Sequence, residues 1–256
     1  MANRRPLAWG RMIGGAAVIL GAGALLALGA LPLAFAPGAW RWYRERLFRA
    51  TCRALLRLLR FEVRVSGPLP RPPYLLVSNH LSYVDVIVLG SRLPGRFVAK
   101  KEVRGWPVLG PICKGFGTIF IDRSERRDIP RVLSEILESL LCGEGVILFP
   151  EGTSSSGDEV RSFRSPLLAQ AAHESMPVHA AALRYRTPDG EPPARDAVCW
   201  WGETPLFPHL LGLFRLSKVE AFVGFAPEPI VDEDRKRLAE RLREAVVGEI
   251  DRENGL

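Results

Sequence analysis

The N-terminal part of the chain contains no charged residue from Met12 to Trp40, and this stretch limits how the chain can fold. Within it, Ile13–Phe35 is almost wholly apolar, and a helix of about 20 such residues can cross the hydrocarbon core of a bilayer. A cleaved signal peptide is the rival interpretation, because Ala34-Phe35-Ala36 looks like a cleavage site. However, the apolar run is longer than a typical signal core, and Pro37 is a poor residue to follow a cut. We therefore expect a retained membrane anchor.

Basic residues flank this anchor on both sides, so the sequence leaves two topologies open. More arginines follow the apolar run than precede it, and the heavier basic flank favours a cytoplasmic C-terminal part. Pro32 and Pro37 can bend the segment, so a hairpin that enters one leaflet and returns is an alternative to a full span. The sequence thus predicts insertion into a membrane without fixing its depth.

The segment after the anchor carries a regular stripe of positive charge. Its arginines recur every three or four residues, on one side of a helix: Arg46, Arg49, Arg53, Arg57 and Arg60. Such a helix either rests on an anionic lipid surface or packs on the domain with an ordinary solvated face. The cluster Trp40, Trp42 and Tyr43 favours the lipid surface, because amphipathic rings concentrate at membrane interfaces.

Strand and helix patterns alternate along the rest of the chain. Predicted strands cover Phe61–Val65, Tyr74–Ser78, Phe97–Lys100, Val146–Phe149, Val178–Tyr185 and Val219–Phe225. Predicted helices cover Tyr83–Ser91 and Asp128–Leu141, begin again at Ser165-Pro166, and close the chain from Asp232 to Glu253. This alternation predicts one α/β domain over residues 61–256, with a mostly parallel sheet flanked by helices. Residues 1–60 would form an N-terminal helical membrane anchor in front of it.

Charge and cysteine content exclude several kinds of partner and site. The formal net charge of +7 and the pI of about 9.6 suit an anionic partner. The sequence lacks zinc-ligand spacings, ribonucleoprotein aromatics and a free basic recognition helix, so we expect no nucleic-acid partner. The four cysteines form no Cys-x-x-Cys pair and have no histidine at ligand spacing. They therefore predict reduced thiols in the cytosol and no metal site.

A histidine and an aspartate, His80 and Asp85, lie five positions apart directly after the predicted strand Tyr74–Ser78. A base that takes a proton from a hydroxyl needs an imidazole held in one tautomer by a carboxylate. Residues five apart do not share a helix face, so the pair suits a turn, with His80 at a strand-to-helix corner and Asp85 one turn into the helix. Taken alone, the pair is explained more simply by a surface histidine beside a helix-capping aspartate.

Two further motifs follow this pair in order. Asn79-His80-x4-Asp85 is followed by Gly117-Thr118-Ile119-Phe120-Ile121-Asp122-Arg123, and then by Phe149-Pro150-Glu151-Gly152-Thr153. Together they resemble the motifs of the glycerolipid acyltransferases, above all the bacterial lysophosphatidic acid acyltransferases. The resemblance implies a fold like that of glycerol-3-phosphate acyltransferases. It also implies a membrane-bound O-acyltransferase that moves a fatty acyl group from an acyl thioester to the sn-2 hydroxyl of lysophosphatidic acid, making phosphatidic acid.

The resemblance also implies roles for individual residues. His80 is the expected general base and Asp85 the group that orients it. The expected substrate-binding residues are Asn79, Lys100, Arg123, Glu151, Gly152 and Thr153. In the family the motif arginine binds the acceptor phosphate, and Lys100 or its neighbour Lys101 is expected to hold the donor or the oxyanion unless both are simply solvated. No metal and no cofactor are expected; acyl-CoA or acyl carrier protein is the co-substrate. The expected location is the inner membrane, with the catalytic domain facing the cytoplasm.

Departures from the family pattern bear on the acceptor. Ser154 stands where a cation is usual, and Phe163-Arg164-Ser165-Pro166 lacks the usual glycine, so Arg161 or Arg164 is a candidate for the missing charge. The stretches Trp200–Glu203 and Leu206–Leu210 are similar to acyltransferases that complete ornithine lipids. Lyso-ornithine lipid or another lysophospholipid is therefore the alternative acceptor. A non-catalytic lipid-binding protein with the same fold is the alternative from another class, although such a protein would not need a base.

Overall fold

The computed structural model describes residues 5–255, and its N-terminal region is a pair of antiparallel helices. Helix α1 (Arg5–Ala30) is followed by a turn and by α2 (Pro37–Leu58). The predicted apolar segment is thus interrupted at Ala30, and Pro37 occupies the first turn of the second helix, where its missing N–H is tolerated. Tyr43 of α2 donates to the carbonyl of Leu25 in α1 at 2.8 Å. The apolar part of α1, Pro6–Ala30, is long enough to cross a membrane, so the choice between a full span and a re-entrant hairpin stays a prediction.

Seven strands form one sheet in the described part of the chain. They are β1 (Phe61–Ser66), β2 (Tyr74–Ser78), β3 (Arg96–Lys100), β4 (Ile119–Ile121), β5 (Gly145–Leu148), β6 (Val178–Arg186) and β7 (Val219–Phe225). Their order is β1-β7-β6-β2-β5-β3-β4, and every neighbouring pair is parallel except β6 and β7. The predicted mostly parallel α/β sheet is confirmed.

Helices cover both faces of this sheet and bury an apolar layer on each. They are α3 (Val84–Arg92), α4 (Leu109–Gly115), α5 (Asp128–Leu141), α6 (Ala169–His173), α7 (Ala194–Ala197), α8 (Leu206–Arg215) and α9 (Arg235–Asn254). One layer lies under α2, α3 and α8, and the other under α5, α6 and α9. The helix predicted from Ser165 is a short 3₁₀ turn, Pro166–Leu168, followed by α6. Helices α4 and α8 were not predicted.

Helix α1 packs along the body of the protein on one side and is exposed on the other. A Cβ on Gly15 would lie 3.1 Å from the Phe214 ring in α8, and one on Gly23 would lie 3.1 Å from Ile112 in α4. Small residues therefore let the helix approach the domain closely at both ends. The other side presents large apolar residues: Leu7, Trp9, Ile13, Leu20, Leu25 and Leu28. An exposed apolar face of this size is typical of a membrane contact.

Candidate active site

The predicted site residues meet at the carboxyl edge of four neighbouring strands. His80 follows β2, Glu151 follows β5, Lys100 ends β3 and Arg123 follows β4. Because β2, β5, β3 and β4 are adjacent in that order, these side chains share one edge of the sheet. Ligands of open α/β sheets bind at this edge.

The buried carboxylate of Asp85 fixes the histidine loop through four hydrogen bonds. Its Oδ2 lies 2.7 Å from Nδ1 of His80 and accepts from the backbone N–H groups of Leu81 and Ser82 at 2.6 and 2.9 Å. Its Oδ1 accepts from the hydroxyl of Tyr185 at 2.6 Å. Asp85 lies buried in the first turn of α3 and binds N–H groups that precede the helix, so it is the partner of the imidazole and does not cap the helix.

This geometry leaves the other nitrogen of His80 available for chemistry. With Nδ1–H donating to Asp85, the neutral ring carries its lone pair on Nε2. The ring stacks on Phe149 with centroids 4.3 Å apart, and the side chain remains 19% exposed. Among the described residues, Nε2 has no hydrogen-bond partner. The arrangement is that of a general base open to a substrate hydroxyl.

Tyr185 is a positioning residue that the sequence reasoning missed. It lies near the end of β6, fully buried, and its hydroxyl donates to Asp85. Burial and the neighbouring Asp85 charge raise the pKa of Tyr185 well above its ordinary value of 10, so the phenol stays a donor. In the sequence it looked like one more apolar residue of a buried strand, and no local spacing linked it to Asp85.

Glu151 supports the same loop from the neighbouring strand β5. Its Oε1 accepts from the backbone N–H of His80 at 2.9 Å, and the residue is only 3% exposed. Its buried Oε2 forms no hydrogen bond within residues 5–255, although the backbone N–H of Arg161 is near enough to lower the pKa of the carboxyl group. Burial, with a smaller contribution from the Asp85 charge, raises the pKa of Glu151 to about 7 from an ordinary 4.5. Binding of substrate by this carboxyl group stays a prediction.

The raised pKa of Glu151 makes stability depend on pH in a defined direction. Between pH 4.5 and about 7 the native state holds a proton that an unfolded glutamate has lost. The resulting contribution to the free energy of unfolding is full below pH 4.5, decreases as the pH rises, and levels off above about pH 7. We expect Glu151→Gln to remove this slope, as measured by chemical unfolding at a series of pH values. An unchanged slope in the variant would show that another group is responsible.

The side chain of Asn79 is occupied by the protein itself. Its amide nitrogen donates to the carbonyl of Leu183 at 2.9 Å, and its oxygen accepts from the Leu183 N–H at 2.7 Å. Being buried, it joins the end of β2 to β6. The oxygen and one N–H of the amide thus hold the histidine loop against β6. Binding of substrate by Asn79 stays a prediction.

Two other loops hold the backbone of the histidine turn. The N–H of Ser155 donates to the carbonyl of His80 at 2.9 Å, and the N–H of Trp200 donates to the carbonyl of Leu81 at 2.8 Å. The hydroxyl of Ser154 donates to the carbonyl of Trp200. Ser154 therefore joins the two loops, which explains what this residue does in place of a cation.

The remaining predicted site residues differ in whether other groups of the protein bind them. Lys101 forms an ion pair with Asp122, whereas Lys100, half-buried at the end of β3, has no ionic partner in the described part of the chain. Thr153 is exposed. Gly152 has φ +77°, a conformation that favours glycine, and its carbonyl accepts from Nη1 of Arg123. Desolvation and a neighbouring cation lower the pKa of Arg123.

Known proteins resemble this chain over most of its length. The family model described as Acyltransferase matches residues 60–184. A lyso-ornithine lipid O-acyltransferase of Pseudomonas aeruginosa is 37% identical over 79% of this chain and 78% of that protein. A 1-acyl-sn-glycerol-3-phosphate acyltransferase of Neisseria gonorrhoeae is 32% identical over 79% of this chain and 80% of that protein.

The fold has a counterpart among solved structures. The crystal structure of the 1-acyl-sn-glycerophosphate (LPA) acyltransferase PlsC from Thermotoga maritima matches with a TM-score of 0.64 and 20% identity, covering 96% of this chain and 98% of that one. This likeness supports the fold, while the sequence relatives, at more than 30% identity over most of their length, establish the family. The chain belongs to the Acyltransferase family and is an acyltransferase.

Proposed function

We propose that the chain is a membrane-bound O-acyltransferase that transfers a fatty acyl group from an acyl thioester to the sn-2 hydroxyl of lysophosphatidic acid, making phosphatidic acid. The observation that carries this proposal is the contact of His80 with the buried Asp85, at the same edge of the sheet as Arg123, which forms no ion pair within residues 5–255. The pair supplies a base for a hydroxyl, and the arginine supplies a cation for the phosphate of the same acceptor.

In the proposed reaction His80 accepts one proton and later donates it. Nε2 of His80 takes the proton of the acceptor hydroxyl while the hydroxyl oxygen attacks the thioester carbonyl. The tetrahedral intermediate then collapses, the C–S bond breaks, and the imidazolium returns the proton to the thiolate sulfur. The products are an ester and a free thiol, so no acyl-enzyme and no cofactor are needed. Asp85 stabilises the imidazolium throughout.

Lys100 is our candidate for stabilising the negative oxygen of the tetrahedral intermediate. It ends β3, two strands from β2, which places its backbone about 10 Å from the end of β2 at a spacing of about 4.8 Å per strand. A lysine side chain can cover much of that distance. The ammonium has no ionic partner among the described residues, so its charge is available to the substrate.

A basic cleft beside the edge strand β4 suits the phosphate groups of the acyl donor. Its volume is about 550 Å³, and six cations line it: Arg44, Arg96, Lys101, Arg104, Lys114 and Arg131. Three acidic residues line it as well: Asp122, Asp128 and Glu135. Arg104 and Lys114 form no ion pair in the described part of the chain. Both coenzyme A and the prosthetic arm of acyl carrier protein carry phosphate, so either donor remains compatible with the cleft.

The exposed side of α1 supports attachment to the inner membrane from its cytoplasmic side. Since α1 contacts α4 and α8 along its length, it lies against the domain, and we propose that it enters one leaflet. The exposed arginines of α2 provide contacts for anionic lipid. We expect this placement to bring the carboxyl edge of the sheet within reach of acceptors that diffuse in the bilayer.

Lyso-ornithine lipid is the second candidate acceptor. The specific observation that favours it is Ser154, whose hydroxyl donates to the Trp200 carbonyl and offers no cation to a phosphate. An ornithine headgroup carries a carboxylate and an ammonium, so it needs less positive charge from the enzyme. Some relatives are named for one acceptor and some for the other, so the comparison does not distinguish between the two acceptors.

An acceptor panel tests the proposal. The full-length protein in mixed micelles is given one acyl thioester together with lysophosphatidic acid, lyso-ornithine lipid or a neutral monoacylglycerol. We expect the highest kcat/KM with lysophosphatidic acid. Equal or better use of lyso-ornithine lipid would replace the acceptor, and failure to acylate any hydroxyl would contradict the proposal.

A further inference from the structure

We propose that residues 201–211, the loop before α8 and the first turns of that helix, form a second membrane-contact element that inserts into the lipid surface beside α1. The inference goes beyond the transfer reaction and rests only on the membrane attachment proposed above for α1. Its partner is the interfacial layer of a bilayer, where the acyl chains begin. Insertion of this element would set how the sheet edge that carries His80 faces the lipid.

The outward side of α8 is apolar. Phe207 is 57% exposed, and Leu211, one turn later on the same side, is half-buried. Trp201, in the loop before the helix, is 37% exposed, and its indole N–H donates to the carbonyl of Arg195 at 2.9 Å. No charged residue occurs from position 204 to position 214. A surface helix normally turns polar residues outward, so this side is typical of a contact with an apolar phase.

The outward side of α8 lies next to the apolar helix α1, which makes lipid its expected partner. A Cβ on Gly15 of α1 would lie 3.1 Å from the Phe214 ring of α8, and Arg11 donates to two carbonyls at the C-terminal end of α8. Ala8 of α1 and Leu210 of α8 also pack in one apolar cluster. Packed helices lie about 8–10 Å apart, so lipid that covers the exposed side of α1 is within one helix width of α8.

The inward side of α8 is bonded to the loops that hold the base. His209 is buried, with Nε2 3.1 Å from the carbonyl oxygen of Cys199 and Nδ1 3.1 Å from the hydroxyl of Tyr83. Burial lowers the pKa of His209, which favours a neutral ring that donates to the carbonyl and accepts from the phenol. The N–H of Trp200, next to Cys199, donates to the histidine turn at 2.8 Å. One helix therefore joins the lipid-facing side to the histidine turn.

A fluorescent label at position 207 tests insertion without any need for turnover. Phe207→Cys is labelled with an environment-sensitive fluorophore in the full-length protein, with Cys113 and Cys142 replaced by serine because neither thiol is fully buried. Leu141→Cys is the matched control, since Leu141 is 78% exposed at the end of α5, on the opposite face of the sheet. With vesicles of anionic phospholipid, we expect quenching by nitroxide-labelled acyl chains and protection from iodide at position 207, and neither at position 141.

The label also distinguishes failure of this element from failure of the proposed function. Access of iodide to position 207 in vesicle-bound protein that transfers acyl groups would overturn the element and leave the function in place. Protection that grows with protein concentration in the absence of vesicles would identify a second copy of the chain as the occupant and overturn lipid. Protein that does not bind vesicles would reject both the element and attachment through α1. Insertion at position 207 in a protein that transfers no acyl group would support the element and reject the proposed function.

Kinetics of Phe207→Ser, with Leu141→Ser as the control, test what the element does for activity. We expect kcat/KM for a lyso-acceptor embedded in vesicles to fall by roughly 3- to 10-fold, the order expected when about half of a phenylalanine side chain is no longer buried. With a short-chain acceptor dissolved as monomers, the change should stay small, and Leu141→Ser should match the unmodified protein with both acceptors. Equal losses with the two acceptors would show that Phe207 acts on the site itself and would overturn its role at the membrane.

Discussion

Replacing His80 by alanine is expected to lower kcat by about 10²- to 10⁴-fold, the usual contribution of a positioned general base. Without the imidazole, the acceptor hydroxyl must attack while still carrying its proton. The acceptor and donor KM values should change little, because the ring is not the group proposed to bind either substrate. Initial rates with saturating thioester measure the effect.

The variant should keep its fold, and a second histidine provides the control. The loop contacts of His80 to Glu151 and Ser155 use backbone atoms, which alanine retains. His173 also contacts a carboxylate, Glu174, but it is 80% exposed and lies outside the site. We expect His173→Ala to act like the unmodified enzyme. Near-normal turnover by His80→Ala in membranes would mean that the base is a different group.

Asp85→Asn is expected to lower both activity and stability. An amide NH₂ in place of Oδ2 would face the backbone N–H groups of Leu81 and Ser82, which need an acceptor. An amide can also hold the His80 ring in the wrong tautomer, with the proton on Nε2. We expect kcat to fall by on the order of 10³-fold. Breaking a buried charged network should reduce the free energy of unfolding by about 2–4 kcal/mol.

Tyr185→Phe tests the contribution of Asp85 to stability separately from its contribution to activity. It removes one donor to Oδ1 and leaves the His80 contact in place. We expect a loss of about 1 kcal/mol in stability and a smaller loss of kcat than in Asp85→Asn. Equal kcat losses in the two variants would show that Asp85 acts mainly by holding the loop, and would weaken its assignment as the partner of the base.

The parts of the site that lie close together in sequence were predictable. His80 and Asp85 share one strand-to-helix turn, so their spacing alone indicated that they could meet. The carboxyl ends of β2 and β5 could be aligned because apolar runs before His80 and Glu151 indicated buried parallel strands. These inferences depend on local patterns, and the structure reproduces them.

Tertiary contacts account for what the sequence did not reveal. Tyr185 lies 100 positions from Asp85 and resembles a core residue of an apolar strand. Asn79 belongs to the motif, yet its amide bonds to Leu183, 104 positions away. Such pairings follow from the sheet order, which residue spacing does not encode.

The arrangement of the N-terminal anchor was also only partly predictable from the sequence. Apolar length and the prolines near its end indicated insertion and a bend, but they fit a full span and a hairpin equally well. The position of α1 against the domain depends on packing: Gly15 and Gly23 let α1 contact α8 and α4, and Arg11 donates to the carbonyls of Phe214 and Leu216. A charged side chain bound to the end of a distant helix leaves no periodic signal in the sequence.

The most direct test of the central claim is thiol release from an acyl thioester by the full-length protein, measured with and without the lyso-acceptor and paired with detection of the acylated lipid. The account predicts release that requires the acceptor, one acylated lipid per thiol, and nearly complete loss of both in His80→Ala. Release without acceptor, or acylation that persists in His80→Ala, would contradict direct acyl transfer with His80 as the base.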